Sequence, residues 1–302
     1  RIANGFPAPD VVKRAALAPH DCETCRKVKL KRSKVPRVAP APRSHPKGTS
    51  WGVDFTRDFP VRDIDGNSCA VIFVERRSRY IRVYLIQYHS QFWSVAQHHI
   101  DWVASLAGVE VRELHGDSDV LWSVAGDPAH PSERCVEFTV KNQCLFSRSP
   151  PYTQAMNPAE SPSSIGSVIS GAVVAMVHAR VSQTLWGDAL LHQATIMNMA
   201  PVPGFDVDLT SPLPDPLEHD PDWTIGSDPR LAFTPQGILL GTVPDISLLA
   251  APLFAFGFVR SPNAKPSQLI PVATRGLYVG IAEGTIGYKL RMLHDMSIKT
   301  SL

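Results

Sequence analysis

Cysteine is scarce. There are five in 302 residues, an odd number, and only Cys22 and Cys25 lie close together. This excludes a disulfide-framed secreted scaffold and points to a reducing compartment. An uninterrupted apolar run is missing as well. The most apolar stretch, 237–259, is broken by Pro244, Asp245 and Pro252, which argues against a membrane span. No signal peptide opens the chain. It begins with Arg1 rather than Met and is expected to be a fragment of a longer product. No internal repeat is visible, and Ser78 has no His/Asp constellation around it, which leaves a serine-hydrolase reading without support.

Apolar residues make up 44% of the chain, enough for a packed core, so global disorder is excluded. The net charge of +2 hides a segregated distribution. Residues 26–47 carry nine basic side chains and no acidic one, and residues 206–228 carry seven acidic side chains and no Lys or Arg. One-signed blocks usually lie on solvated segments. The basic block, with Arg26, Lys27, Lys29, Lys31, Arg32, Lys34 and Arg37 at its densest, also suits phosphate backbones. The acidic block is Pro-rich, lacks periodicity and does not match the ligand spacing of an EF-hand.

Between these blocks the pattern is regular. Strands are expected at 51–55, 69–74 and 80–86, the first two separated by an Asp65-Gly66-Asn67 turn. Helical spacing covers 90–107 and alternation covers 109–114. A short helix is expected at 132–142 and a strand at 144–147. The clearest amphipathic helix spans 162–183, and another follows at 185–199. His98 and His99 read as surface or interface histidines, and Trp186 as core or interface. Three strands in succession favour antiparallel pairing, and strands alternating with helices favour parallel crossovers. The expected fold is α/β, a mixed five-stranded sheet flanked by helices.

Three carboxylates sit where such a sheet could gather them. Asp54 lies on the first strand, Asp117 follows the fourth, and Glu160 precedes the amphipathic helix, with Asp119 in reserve for Asp117. Oxygen ligands from separate elements suit Mg²⁺ or Mn²⁺ and in-line phosphoryl transfer. Each residue also has a plainer reading. An Asp after a strand is commonly a turn residue, and a Glu in a first helical turn is favoured by the helix dipole. Cys22 and Cys25 have the spacing of half a zinc site or are ordinary thiols.

A colinear series of short motifs resembles copia-type retrotransposon integrases, which have a ribonuclease H-like core. It comprises Trp51-Gly52-Val53-Asp54, Ser78-Arg79-Tyr80, Leu114-His115-Gly116-Asp117-Ser118, Ser149-Pro150-Pro151-Tyr152-Thr153 and Leu185-Trp186-Gly187-Asp188-Ala189. It continues through Thr234-Pro235, Leu240-Gly241, Pro244-Asp245-Ile246-Ser247, Gly276-Leu277-Tyr278-Val279-Gly280 and Gly287-Tyr288-Lys289. The resemblance implies a polynucleotidyl transferase from a retroelement polyprotein that performs DNA 3′-end processing and strand transfer. Its catalytic and Mg²⁺-binding residues would be Asp54, Asp117 and Glu160. Cys22 and Cys25 would be a partial Zn²⁺ site completed by His residues upstream.

It further implies element and target DNA as partners, a homo-oligomer, no membrane, and residence in the nucleus or a cytoplasmic retroelement particle. The division would be a partial zinc segment and basic linker at 1–47, a catalytic core at 48–203, an acidic insertion at 204–233 and a post-core region at 234–302. There are departures. Asn157-Pro158-Ala159-Glu160-Ser161 is one residue shorter than the family's usual segment and lacks its Arg, and Asp117 and Glu160 stand 43 residues apart. These leave open an inactive DNA-binding remnant. The Asn-Pro-x-Glu form also occurs in mariner-type transposases.

Overall fold

The computed structural model describes residues 46–116, 123–124, 127–148, 165–200, 234–242, 244–249, 251–260, 273–282 and 287–301. The basic tract up to residue 45, the cysteine pair and the 204–233 insertion lie outside them.

Three strands open the described chain: β1 (Ser50–Phe55), β2 (Cys69–Glu75) and β3 (Ile81–Ile86). β2 is buried along its whole length, as its unbroken apolar run requires. Its odd and even residues serve different layers. Cys69, Val71 and Phe73 join one core, and Ala70, Ile72 and Val74 join the other. Helix α1 (Phe92–Ala107) buries Phe92, Ala96, His99 and Val103, a single helical stripe, and ends at Gly108 with φ +63°.

β4 (Glu113–Gly116) follows, then a two-stranded ribbon of β5 (Ser123–Val124) and β6 (Asp127–Pro131). Helix α2 (Glu133–Asn142) is capped by Ser132, whose side chain accepts from the Cys135 amide, and leads into β7 (Leu145–Arg148). Helices α3 (Ile165–Ala179) and α4 (Trp186–Met199) close the core.

The sheet order is β3-β2-β1-β4-β7. The first three strands are antiparallel, while β1–β4 and β4–β7 are parallel. This is the mixed, helix-flanked, ribonuclease H-like sheet expected from the sequence. α1, packed with Trp51, Val53, Phe73 and Leu114, covers one face, and α3 and α4, packed with Ile72, Val74 and Val83, cover part of the other.

Three expectations need correction. The fourth strand begins at Glu113, not Val109. Val111 is buried, but the amides of Arg112 and Glu113 share the single Thr49 carbonyl, so the ladder only starts there; alternation reported burial rather than pairing. α3 stops at Ala179 because Arg180 adopts a left-handed φ of +55°. His99 is not a surface residue. It is fully buried, with its ring stacked 4.0 Å from Phe73 and edge-on 4.4 Å from Trp51. Its Nδ1 meets the Tyr84 hydroxyl at 3.3 Å, and its Nε2 has no hydrogen-bond partner among the described residues.

The 234–302 region forms a structure whose strands the motifs did not specify. The short helix α5 (Pro235–Leu240), capped by Thr234, delivers Leu239 to the α1 side of the core. β8 (Phe256–Arg260), β9 (Ala273–Ile281), β10 (Tyr288–Met292) and β11 (Ile298–Ser301) form an antiparallel sheet in the order β11-β10-β9-β8. Leu277 and Val279 pack into the same apolar layer as α4. α4 is therefore buried on nearly all sides, which is why Trp186, Asp188, Leu190, His192 and Asn198 are all inaccessible. No helix among the described residues is long and apolar enough to cross a membrane.

Arg291 locks this arrangement. Although 2% exposed, it donates to Asp188 from Nε at 2.6 Å and from Nη2 at 3.0 Å. It also reaches Asp65 at 2.8 and 3.3 Å and the Met296 carbonyl at 2.9 Å. Burial works against its charge, but the hydrogen bonds it donates to Asp188 and Asp65 outweigh that, and its pKa is raised. Replacing Arg291 by Met would leave Asp188 buried without its counter-charge. The expected loss is about 3–5 kcal/mol, measured by urea unfolding, and adding Asp188→Leu to Arg291→Met should recover part of it.

A second outcome concerns acid. Burial lowers the pKa of His99 well below its ordinary value, with Arg82 and His98 adding to the effect, and lowers that of His192 to about 4. Both are neutral in the fold but take up protons in the unfolded chain below about pH 6.5. Their contribution is intact above that pH and is lost as pH falls toward the folded values. Stability should therefore decline from about pH 6.5 to about pH 4, His192 alone accounting for on the order of 3 kcal/mol. In His192→Leu, the denaturation midpoint should fall less steeply over that window.

Candidate active site on the Asp54 face

Trp51 and Val53 point into the α1 layer, with Phe55 packed against it, so Gly52 and Asp54 face the opposite side of the sheet. Asp54 registers with Ile72, a member of the α3–α4 layer. The Asp54 side chain is half-buried, and its Oδ1 accepts from the Phe55 amide at 2.7 Å.

β1 and β4 run parallel, with Gly52 opposite His115. Asp54 lies two positions beyond that pair on β1, and Asp117 is two residues beyond His115 in sequence. β4 as described ends at Gly116. The carboxyl ends of β1, β4 and β7 thus point the same way, the end of a parallel sheet where ligand sites form. Val168 and Ala172 of α3 pack in the layer on Asp54's face. Asp117, Asp119 and Glu160 lie outside the described residues, as do Cys22, Cys25, Arg26, Lys27, Lys29, Lys31, Arg32, Lys34 and Arg37. Among the sequence-derived site residues, Asp54 is the one the structure places.

The structure also shows a polar network that the motifs did not single out. Ser50 is opposite Glu113, and His115 is opposite Ser147, so all four share Asp54's face. Glu113 accepts from the Ser50 hydroxyl at 2.7 Å and from the Ser147 hydroxyl, and Arg76 Nη1 lies 3.8 Å from it. Because Ser147 donates to Glu113, its oxygen must accept from His115 Nδ1, 2.6 Å away. That fixes the His115 tautomer with its proton on Nδ1.

Burial alone would raise the Glu113 pKa, but hydrogen bonds from Ser147 and Ser50 and the charges of Arg76 and His115 lower it. Burial, then Arg76, lowers that of His115, against the pull of Glu113. Near neutral pH the network is therefore a carboxylate, a neutral imidazole and a guanidinium. Its sequence signal was the polar spacing of Glu113 and His115 along β4, readable only once the strand's limits were known.

No protein-family model matches the sequence, and no curated protein matches it. Among solved structures, the chain is similar to the HTLV-2 integrase catalytic core domain in complex with magnesium. The dimeric form is 14% identical with a TM-score of 0.36, over 52% of this chain and 90% of that one. The trimeric form has the same identity and score over 52% and 88%. A simian T-cell lymphotropic virus intasome in complex with PP2A regulatory subunit B56 gamma is 14% identical with a TM-score of 0.41, over 99% of this chain and 90% of that one. The fold assignment rests on strand order and direction rather than on these overlaps.

Proposed function

We propose that the chain is a metal-dependent DNA integrase core of the copia type, acting in 3′-end processing and strand transfer. The observation that carries this reading is the parallel β1–β4 register, which pairs Gly52, two residues before Asp54, with His115, two residues before Asp117 in sequence, and puts Asp54 on the face shared by α3. On this reading Asp54, Asp117 and Glu160 hold Mg²⁺ or Mn²⁺. Of these three, the structure describes Asp54, whose half-buried carboxylate is the hard oxygen donor such a cation takes. When bound, such ions polarise a phosphoryl oxygen and help generate the attacking oxygen.

The chain's own contribution is positional. The rigid strand fixes the Asp54 carboxylate, and the Glu113 network holds β1, β4 and β7 together beside it. The nine cations of 26–47 would hold duplex phosphates without reading sequence. Element ends and target DNA are the proposed partners, a homo-oligomer the proposed assembly, and the nucleus or a retroelement particle the proposed site of action. Cys22 and Cys25 would bind Zn²⁺ together with upstream His residues.

A Mn²⁺-supported strand-transfer assay tests the reading. Wild type should join a duplex end to target DNA, and Asp54→Asn should reduce product to background with an unchanged melting curve. Absence of product from wild type, with DNA still bound, would select an inactive DNA-binding remnant. The basic tract gives a separate test. If about five of its nine cations contact phosphates, log affinity against log salt should have a slope of about −4 to −5, and deleting 26–47 should flatten it. An unchanged slope would make the tract a linker.

A further inference from the structure

On the other face of the sheet from Asp54, three residues of different chemistry converge. Asp58 comes from the segment after β1, Cys69 is the first residue of β2, and His89 begins the 3-10 turn His89–Gln91 that leads into α1. One ligand atom from each, a carboxylate oxygen, Sγ and a ring nitrogen, lie within 4.8 Å of one another. His89 Nε2 and Asp58 Oδ1 are 3.5 Å apart.

We infer that Asp58, Cys69 and His89 form a binding site for a zinc-class divalent ion, with three protein ligands and a fourth position open to water. Zinc–sulfur and zinc–nitrogen bonds of about 2.3 and 2.0–2.1 Å put neighbouring donors on a tetrahedron about 3.3–3.6 Å apart. The imidazole–carboxylate separation already meets that figure, and the widest separation needs to contract by only about 1 Å.

The two side chains that must move can do so. Asp58 is 69% exposed and His89 44%, whereas the fully buried Cys69 is fixed in the sheet. The His89 ring is oriented by stacking on Phe55, with centroids 5.1 Å apart and planes 14° apart. Mixed S, N and O donors select zinc or cobalt over Mg²⁺, so this site and the proposed Asp54 site would sort different ions. Burial, together with the nearby Asp58 carboxylate and against the Ser68 hydrogen bond, pushes the Cys69 thiol pKa up. Without metal the thiol is protonated. Binding replaces its S–H bond by a sulfur–metal bond and releases one proton to solvent. The ion would join the chain after β1, the start of β2 and the approach to α1.

The test uses the full chain carrying Cys22→Ser and Cys25→Ser, which removes the thiol pair with zinc-ligand spacing in the sequence. Co²⁺ is added in excess Mg²⁺ and followed by its thiolate charge-transfer absorbance, and Zn²⁺ by equilibrium dialysis. The expected result is one ion per chain, a thiolate band, and a melting temperature that rises with Zn²⁺. His89→Gln and Asp58→Asn, at exposed side chains, should each weaken binding roughly tenfold or more, and Cys69→Ser should abolish the band. Should Cys69→Ser fail to fold, the two exposed variants decide the matter. The absence of a thiolate band, or one unchanged in all the variants that fold, overturns the site. None of these readouts depends on strand-transfer activity.

Discussion

A guanidinium with almost no access to water joins three parts of this molecule. Arg291 comes from the C-terminal sheet, Asp188 from the first turn of a core helix, and Asp65 from the loop between the first two strands. A charge so placed is tolerated only because nearly every donor it has is satisfied, and the forked geometry of arginine allows that where lysine would not. The consequence is specificity of docking. α4 presents a mostly apolar surface to the C-terminal sheet, and apolar contact alone would permit sliding. The bidentate pair with Asp188 fixes the position. The neighbouring loop is rigid for related reasons. Asp63 accepts from the amides of Asp65 and Asn67 and from the Asn67 side chain, which holds Asp65 toward Arg291. Gly187 lies so close to Asp63 and Leu85 that a β-carbon there has no room.

Much of the central sheet was legible because its strands carry two-sided or one-sided apolar patterns that few other structures satisfy. β2 is the clearest case, its six apolar residues divided between two cores. The helix at 132–142 was legible from its spacing, and Ser132 caps it, whereas the short helix capped by Thr234 was not read from the sequence. What was hidden depended on partners distant in sequence. His99 was misread because a lone histidine on a helix carries no sign of the aromatic cage that receives it, Trp51 and Phe73 from two different strands. Glu75 is similar. It is fully buried, and it accepts from the Gly48 amide and the Ser78 hydroxyl and amide, so it holds the tight turn that carries Arg79 at φ +66°. The motif around Ser78 was visible, but the anchoring role of its serine was not.

The candidate site was legible in part. Asp54 stood out by its place in a strand. The Glu113–Ser147–His115 network did not, because Ser147 stands 34 and 32 residues from Glu113 and His115 and meets them only through strand register. A sheet face with this much hydrogen-bonded polar character is costly to bury in apolar surroundings. It is preserved at one end of the sheet, while the β2–β3 half of the same face is apolar and covered by helices. The division separates a packing half from a chemical half on one surface.

The central strand has consequences for the order of assembly. On one side β1 joins a meander whose partners are near in sequence. On the other it pairs with β4, where Ser50 meets Glu113 across 63 residues, and β4 then pairs with β7 across about thirty. Closing long loops costs entropy before any contact repays it, so local hairpins form earlier than distant parallel pairs. The meander thus serves as a template onto which β4 and β7 are added late. The carboxyl-end edge beside Asp54 exists only after that addition, so no site on it can form until the meander has taken on partners distant in sequence.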